Sequence, residues 1–173
     1  MPVPMRWFLA SLALAAAAPV DAAQAYAVSV EEVARASDAV LRGTVERSRT
    51  WKSEDGLRIY TTYEVRTRAV LRGQAPGVAK VVVPGGALDG IRQRVDAAPT
   101  LAAGEDVIVF LHREEDRTFG VTGLAQGKFT VAGGRARPDL SRLMFVKTTV
   151  PPGERRAEEM PVAELERRVR STR

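Results

Sequence analysis

The sequence predicts a mainly β protein: a small closed barrel of five to six antiparallel strands, with a short helix before it and a second helix after it. Apolar and polar residues alternate in successive short segments between residues 39 and 131, and this period of two is typical of strands. Turn residues such as Glu54-Asp55-Gly56 and Pro84-Gly85-Gly86 separate the segments. One segment, residues 59–71, is long enough to be shared by the two halves of a barrel.

The N-terminal elements are a short helix and the first two barrel strands. Ser29 and Glu32 form a capping box, which predicts a helix over residues 30–36. From Ala39 the period is two, so the inward and outward faces of the first strand alternate. The residues expected inside are Ala39, Leu41, Gly43 and Val45, and those expected outside are Arg42, Thr44, Glu46 and Ser48. In the long second strand, Tyr60, Thr62, Glu64, Arg66 and Arg68 share the outward face.

The rest of the chain is predicted to complete the barrel and add the second helix. Residues 106–111 are apolar on both faces, so we expect them to form the central, most buried strand. The other segments predicted as strands are residues 80–83, 91–95, and 119–124 with 127–131, and residues 133–138 close the β region. Pro151-Pro152-Gly153 forms a linker, and an apolar stripe predicts an amphipathic helix over residues 161–170.

The first 25 residues have the features of a secretory signal peptide. Arg6 provides a positive charge, and residues 7–20 form an apolar run that is too short to be a good membrane span. Ala23-Gln24-Ala25 supplies small residues for cleavage before Tyr26, with Ala25-Tyr26-Ala27 as a weaker second site. The alternatives are an uncleaved anchor or a buried helix. Without a following cysteine, attachment as a lipoprotein is excluded.

This signal predicts a bacterial protein that is periplasmic or secreted. The barrel domain would span residues 26–140, and residues 141–173 would form a C-terminal extension. The chain has no cysteine, which excludes disulfides, thiolate metal sites and cysteine nucleophiles together. The net charge is +5, and arginines recur along the strands and the C-terminal helix. Such a surface is either solvated and interspersed with acids or attractive to an anionic glycan, lipid or acidic protein.

The strand pattern resembles the netrin-like domain of the tissue inhibitors of metalloproteinases, an oligonucleotide/oligosaccharide-binding (OB) type of barrel. The stretches that carry the resemblance are residues 37–45, 62–73 and 104–124, which contain SDAVLRGTV, TYEVRTRAVLRG and GEDVIVFLHREEDRTFGVTGL. The chain is also similar to uncharacterised exported bacterial proteins with the PGG and GLAQGKF stretches. The resemblance covers about half of residues 26–173. It implies a netrin-like barrel that binds a protein, and inhibition of a protease is one form that this binding would take.

The inhibitors of that family chelate the zinc of the protease with the amine and carbonyl of an N-terminal cysteine. This chain would begin with Tyr26-Ala27-Val28 after cleavage, so a free Tyr26 amine and carbonyl would stand in that place. No disulfide would hold them there.

The sequence contains no convincing catalytic, metal or cofactor motif. His112 is the only histidine, and the nearest carboxylates lie in a predicted turn, so we interpret it as a strand-end residue. The glycine-rich residues 84–90 lack the Lys-Ser/Thr of a phosphate-binding loop, and an inter-strand loop is the preferred interpretation. No nucleophile motif or paired carboxylates indicate a hydrolase.

The candidate binding surface combines the free N-terminus, the outward faces of the first two strands, and one glycine-rich segment. A barrel face with basic groups beside an aromatic is suited to ligand binding, while Gln126 and Lys128 lie among small residues that permit close approach. The candidate residues are Tyr26, Tyr60, Arg42, Arg66, Arg68, Gln126 and Lys128.

We therefore expect an exported, non-enzymatic binding module without a cofactor or a metal. Its partner would be an exported protein, and a metalloprotease is the example that the resemblance implies. The alternative is a basic-surface binder of anionic envelope polysaccharide or lipid, and an unrecognised hydrolase is less favoured. Because the chain is exported, nucleic acid is not expected as its ligand.

Overall fold

The computed structural model describes residues 23–147 and 150–172. Most of the predicted signal peptide, residues 1–22, lies outside the described residues. The helices are α1 (Val30–Arg35) and α2 (Val162–Ser171). The strands are β1 (Ala23–Tyr26), β2 (Ala39–Lys52), β3 (Ile59–Gly73), β4 (Val78–Pro84), β5 (Gly86–Leu88), β6 (Ile91–Gln93), β7 (Asp106–Arg113), β8 (Phe119–Val121), β9 (Lys128–Ala132), β10 (Arg135–Pro138), β11 (Leu143–Lys147) and β12 (Met160–Pro161).

Five strands close the barrel that the sequence predicts. Hydrogen bonding runs from β7 to β2, β3, β4 and β8, and β8 pairs back with β7. Four of these pairings are antiparallel, whereas β4 and β8 run parallel. A closed five-stranded barrel with one helix near each end confirms the predicted fold class, and the parallel closing pair refines it.

The barrel interior is filled by the inward residues of its strands. Leu41 and Val45 face this interior, as predicted, together with residues of β3, β4, β7 and β8. Strand β7 is buried on both faces, with residues 107–111 almost inaccessible to solvent, and this confirms its predicted central position. The interior cluster consists of Leu41, Val45, Val65, Ala79, Val81, Val83, Leu101, Val107, Val109, Leu111, Phe119 and Val121.

A second apolar cluster covers the outside of the barrel. Val40, Ile108 and Phe110 point outward from β2 and β7, and the apolar stripes of both helices pack over them. Leu165 and Val169 of α2 are fully buried there. The C-terminal helix therefore belongs to the same packed unit as the barrel. Each of the two helices is too short to span a bilayer, and no other α-helix occurs in the described residues.

Helix α1 begins where the capping box predicts. The Ser29 hydroxyl accepts a hydrogen bond from the Glu32 amide at 2.9 Å, and the helix ends at Arg35. Ser29 also donates to the Glu154 carboxylate, which Arg35 contacts at 2.8 Å. These two hydrogen bonds lower the pKa of Glu154 below its ordinary value of 4.5, the Ser29 contact having the larger effect. The link ties the C-terminal segment to the start of the fold.

The β2–β3 ladder is irregular at three places, between Val40/Leu41, Arg42/Gly43 and Val45/Arg47. At the third, Val45 pairs with Val65 and Arg47 with Glu64, so Glu46 has no direct partner. Gly43 marks a very close approach of the two strands, because an added Cβ would lie 2.4 Å from the Arg66 carbonyl oxygen. Gly43 is thus a position where only glycine fits.

The region after β7 departs from the predicted strand segments 119–124 and 127–131. Strand β8 stops at Val121, and a short 3₁₀ segment, Leu124–Gly127, leads to β9. Both β8 and β9 pair with β7, and β9 continues the sheet through β10 to β12 beyond the barrel. The sequence does not predict the parallel pair of β1 and β11, the β5 strand or β12, which are short and lack a clear period.

Candidate functional site

A groove crosses the outer face of the barrel. Strand register aligns outward residues of five strands in a row: Arg49, Thr62, Val82, Gly120 and His112. The neighbouring rows are Trp51, Tyr60 and Pro84 on one side, and Arg47, Glu64 and Lys80 on the other. The loop between β7 and β8 forms a wall. Two adjoining cavities of about 690 and 700 Å³ share Trp51, Thr62, Asp116 and Thr118 and make one continuous groove.

A stacked aromatic pair forms the apolar part of this groove. The Trp51 and Tyr60 rings lie with their centroids 5.0 Å apart and their planes 23° apart. The Trp51 indole N–H donates to the Thr62 hydroxyl at 2.9 Å, which fixes the orientation of the indole. Trp51 is 38% exposed, so one surface of the stack stays open to solvent. Such a rigid, partly exposed pair is a suitable anchor for an apolar or ring-shaped group.

His112 occupies the β7 end of the groove floor. Its Nε2 lies 2.9 Å from the Glu114 carboxylate, and its Nδ1 lies 3.3 Å from the Thr122 hydroxyl. A Cβ at Gly120 would stand 2.4 Å from His112 Nε2, so the imidazole lies directly over a residue that has no side chain. His112 is thus a strand-end residue, as predicted, and it also lines the groove. In the described part of the chain, no three or more histidine or carboxylate side chains are grouped so that they could hold a metal ion.

The groove is electrically polarised. Arg47, Arg49 and Lys80 line it on the strand side, and Glu114, Glu115 and Asp116 line it on the loop side. Arg47 donates to Glu64 at 2.6 Å, and this hydrogen bond raises the pKa of Arg47. Within the described residues, Arg49, Lys80, Glu115 and Asp116 form no ion pair, and all four side chains are exposed. The groove therefore offers two unpaired cations and two unpaired anions.

Of the seven candidate residues, only Tyr60 lines the groove. Arg66 pairs with Glu46 of the neighbouring strand. Arg42 lies partly beneath α2, where it donates to Asp106 at 2.9 Å and approaches Glu166 at 3.4 Å. The hydrogen bond to Asp106 is the main cause that raises the pKa of Arg42. Arg68 approaches the same Asp106 oxygen at 3.5 Å, so these arginines are largely compensated by acids.

Gln126 and Tyr26 meet on another part of the surface. The Gln126 side chain is buried, donates to the Tyr26 carbonyl at 3.1 Å and accepts from the Val28 amide at 3.1 Å. It therefore holds the backbone of residues 26–28 and is not available to a ligand. Tyr26 is 66% exposed, but its backbone carbonyl oxygen already accepts this hydrogen bond.

Lys128 is an interior residue. Its side chain is 5% exposed, and its ammonium group contacts the Glu105 carboxylate and, at 2.8 Å, the Thr130 hydroxyl. Glu105 in turn accepts from the Ala102 amide at 2.9 Å. Lys128 is thus part of a buried polar cluster and does not belong to an exposed surface.

The groove residues missed by sequence reasoning are Trp51, Arg49, Lys80, Glu115 and Asp116. The exposed tryptophan opposite a tyrosine was the available signal, but their pairing depends on the irregularity at Glu46. No family model matches the chain, and no curated protein and no solved structure matches it either.

Proposed function

We propose that this protein is an exported, non-enzymatic binding module that holds a segment of an exported protein partner in the groove. The observation that carries the proposal is the open Trp51–Tyr60 stack within a concave, charge-bearing surface of the barrel. The outer barrel face and its connecting loops are where barrels of this type bind extended ligands. A cavity of about 690 Å³ lies in the size range of ligand sites.

The charges of the groove favour a protein over a uniform polyanion. An anionic polymer would gain from Arg49 and Lys80 but would be repelled by Glu115 and Asp116 in the same groove. The arginines Arg42, Arg47, Arg66 and Arg68 are already paired with acids. A protein segment that carries charges of both signs meets no such conflict. Binding of an anionic envelope polymer is the second candidate, favoured by the unpaired Arg49 and Lys80.

Inhibition of a metalloprotease through Tyr26 is the alternative that the netrin-like resemblance implies. Chelation would need the Tyr26 amine and carbonyl together. Because the Tyr26 carbonyl accepts from Gln126, chelation would have to displace this hydrogen bond. We therefore place the partner in the groove, and we use Tyr26 as the comparison residue in the experiment.

The test is affinity capture from the periplasm and medium of the source organism, with residues 26–173 as bait. Retention of a protein partner in physiological salt is expected, and Trp51→Ala should weaken it by about tenfold or more. Trp51→Phe should retain most of the binding. Tyr26→Ala, which removes an exposed aromatic outside the groove, is the matched control and should leave binding unchanged.

Three outcomes would overturn the proposal. Capture that is lost with Tyr26→Ala but kept with Trp51→Ala would locate the partner at the N-terminus. Recovery of salt-eluted polyanion alone would favour the second candidate. Hydrolysis of the captured molecule by the protein would contradict a non-enzymatic role.

A further inference from the structure

We infer that the groove selects an extended peptide segment in which an acidic and a basic residue, about four residues apart, flank an apolar ring. This inference rests on the proposed function and specifies the chemistry of the partner. It follows from the order in which the groove presents its unpaired charges and its aromatic pair.

The basic end of the groove lies on β2, where Arg47 and Arg49 are exposed. Arg47 is shared with Glu64, so among the cations of β2 that line the groove Arg49 is the one left for a ligand in the described structure. An acidic side chain of the partner would be placed over Arg49. Trp51 is two residues further along the same strand and faces the same side, so an adjacent apolar ring of the partner would meet the aromatic stack.

The acidic end lies on the opposite wall of the groove, in the loop between β7 and β8. Glu114 is engaged by His112, which leaves Glu115 and Asp116 exposed and without an ion pair among the described residues. Asp116 has a left-handed backbone conformation with φ of 56°. A basic side chain of the partner would be placed against these two carboxylates.

The spacing between the two ends sets the length of the segment. Arg49 is on β2, and the acidic loop leads directly into β8, three strand positions away. Three inter-strand spacings amount to about 14 Å, and an extended chain advances roughly 3.4 Å per residue. An acidic and a basic residue about four positions apart therefore span the groove, with the ring between them. The paired residues Val82 and Gly120 are small and line the groove beneath the middle of such a segment.

The experiment uses three blocked heptapeptides and the fluorescence of Trp51, the sole tryptophan of residues 26–173. The mixed probe is acetyl-Gly-Asp-Ala-Phe-Ala-Lys-Gly-amide. In the second probe aspartate replaces the lysine, and in the third lysine replaces the aspartate. Each exposed charge contact changes affinity by about 1.5- to fivefold, so the mixed probe should bind more tightly than either single-sign probe by such a factor.

Reversing a charge in the groove should change which of the three peptides binds most tightly. Arg49→Glu should prefer the two-lysine probe, and Glu115→Lys with Asp116→Lys should prefer the two-aspartate probe. A gain of binding to a new probe cannot arise from misfolding. Arg66→Glu, a charge reversal outside the groove, is the matched control and should keep the preference of the wild type.

The inference would be overturned if the wild type preferred the two-aspartate probe, if both reversals kept the original preference, or if no probe changed the Trp51 fluorescence. Its failure is distinguishable from that of the proposed function. A captured partner that requires Trp51 but is insensitive to both charge reversals would sustain the proposed function and refute the charge pattern. A partner that is insensitive to Trp51→Ala would refute both.

Discussion

Replacement of Lys128 tests whether a candidate surface residue is instead a structural one. Lys128→Met keeps an unbranched apolar side chain as far as Cε and removes the ammonium group, which leaves the Glu105 carboxylate with the Thr130 hydroxyl and the Ala102 amide. Both side chains are largely buried, with exposed fractions of 5% and 15%. Breaking a buried pair from one side costs about 3–5 kcal/mol, because the remaining charge is desolvated and uncompensated. This loss is a large part of the 5–15 kcal/mol that typically stabilises a domain.

The assay is urea unfolding at neutral pH, followed by circular dichroism, with comparison of midpoints at equal slopes. The double variant Lys128→Met with Glu105→Gln removes the stranded charge, so it should be more stable than Lys128→Met. The two changes should therefore be non-additive by at least about 1 kcal/mol. Lys80→Met is the matched control, since Lys80 is exposed and forms no ion pair with the described residues, and it should cost less than about 0.5 kcal/mol. A loss of less than about 1 kcal/mol in Lys128→Met, or strict additivity of the pair, would refute the reasoning.

Three further predictions concern the framework around the groove. Gly43→Ala should lose about 2 kcal/mol or more of unfolding free energy, because its Cβ would overlap the backbone of β3. Gly77→Ala is the control, since its Cβ would enter open space and the change should be neutral. Equal unfolding free energies of the two variants would contradict this. Because the pKa of Glu154 is lowered in the folded protein, its contribution to the free energy of unfolding is present above about pH 4.5. This contribution is lost as the pH falls. Glu154→Gln should therefore lower the free energy of unfolding by about 1–2 kcal/mol at pH 7 and by less at pH 3. The same loss at both pH values would contradict a stabilising role of the ionised Glu154 carboxylate. A chain that begins at Tyr26 lacks residues 23–25, so the amides of β11 should exchange hydrogen at least about tenfold faster than in a chain that begins at Ala23; equal rates would show that β1 does not protect them.

The elements predicted best are those whose signal is local. Alternation in β2 places Leu41 and Val45 inside, the apolar run of β7 gives its central position, and the Ser29 cap gives the start of α1. Each depends on residues within one strand or one helical turn. The pairing of β1 with β11 depends on segments more than 100 residues apart, and neither segment has a periodic pattern of its own.

The interior position of Lys128 was not predictable for a related reason. A lysine in a glycine-rich segment is normally exposed, and its burial here depends on Glu105 and Thr130 supplying polar contacts. Gln126 is similar, since its amide is satisfied by the backbone of residues 26–28. In both cases the sequence signal was the small neighbouring residues, which permit close packing of the chain on itself as well as close approach of a ligand.

The irregularity at Glu46 explains why the aromatic pair was missed and why the groove exists. Strict alternation from Leu41 and Val45 would direct Arg47, Arg49 and Trp51 toward the barrel interior. The extra residue in β2 reverses this, so that Arg47 pairs with Glu64 and Trp51 with Tyr60 on the outer face. Without the extra residue, basic and aromatic side chains would point into the barrel interior, where they could not pack. With it, the same side chains lie on the outer face and can contact a ligand. The charge total of +5 does not distinguish these two arrangements. The partner is therefore better inferred from the register of β2 and β3 and from which charges remain unpaired than from composition.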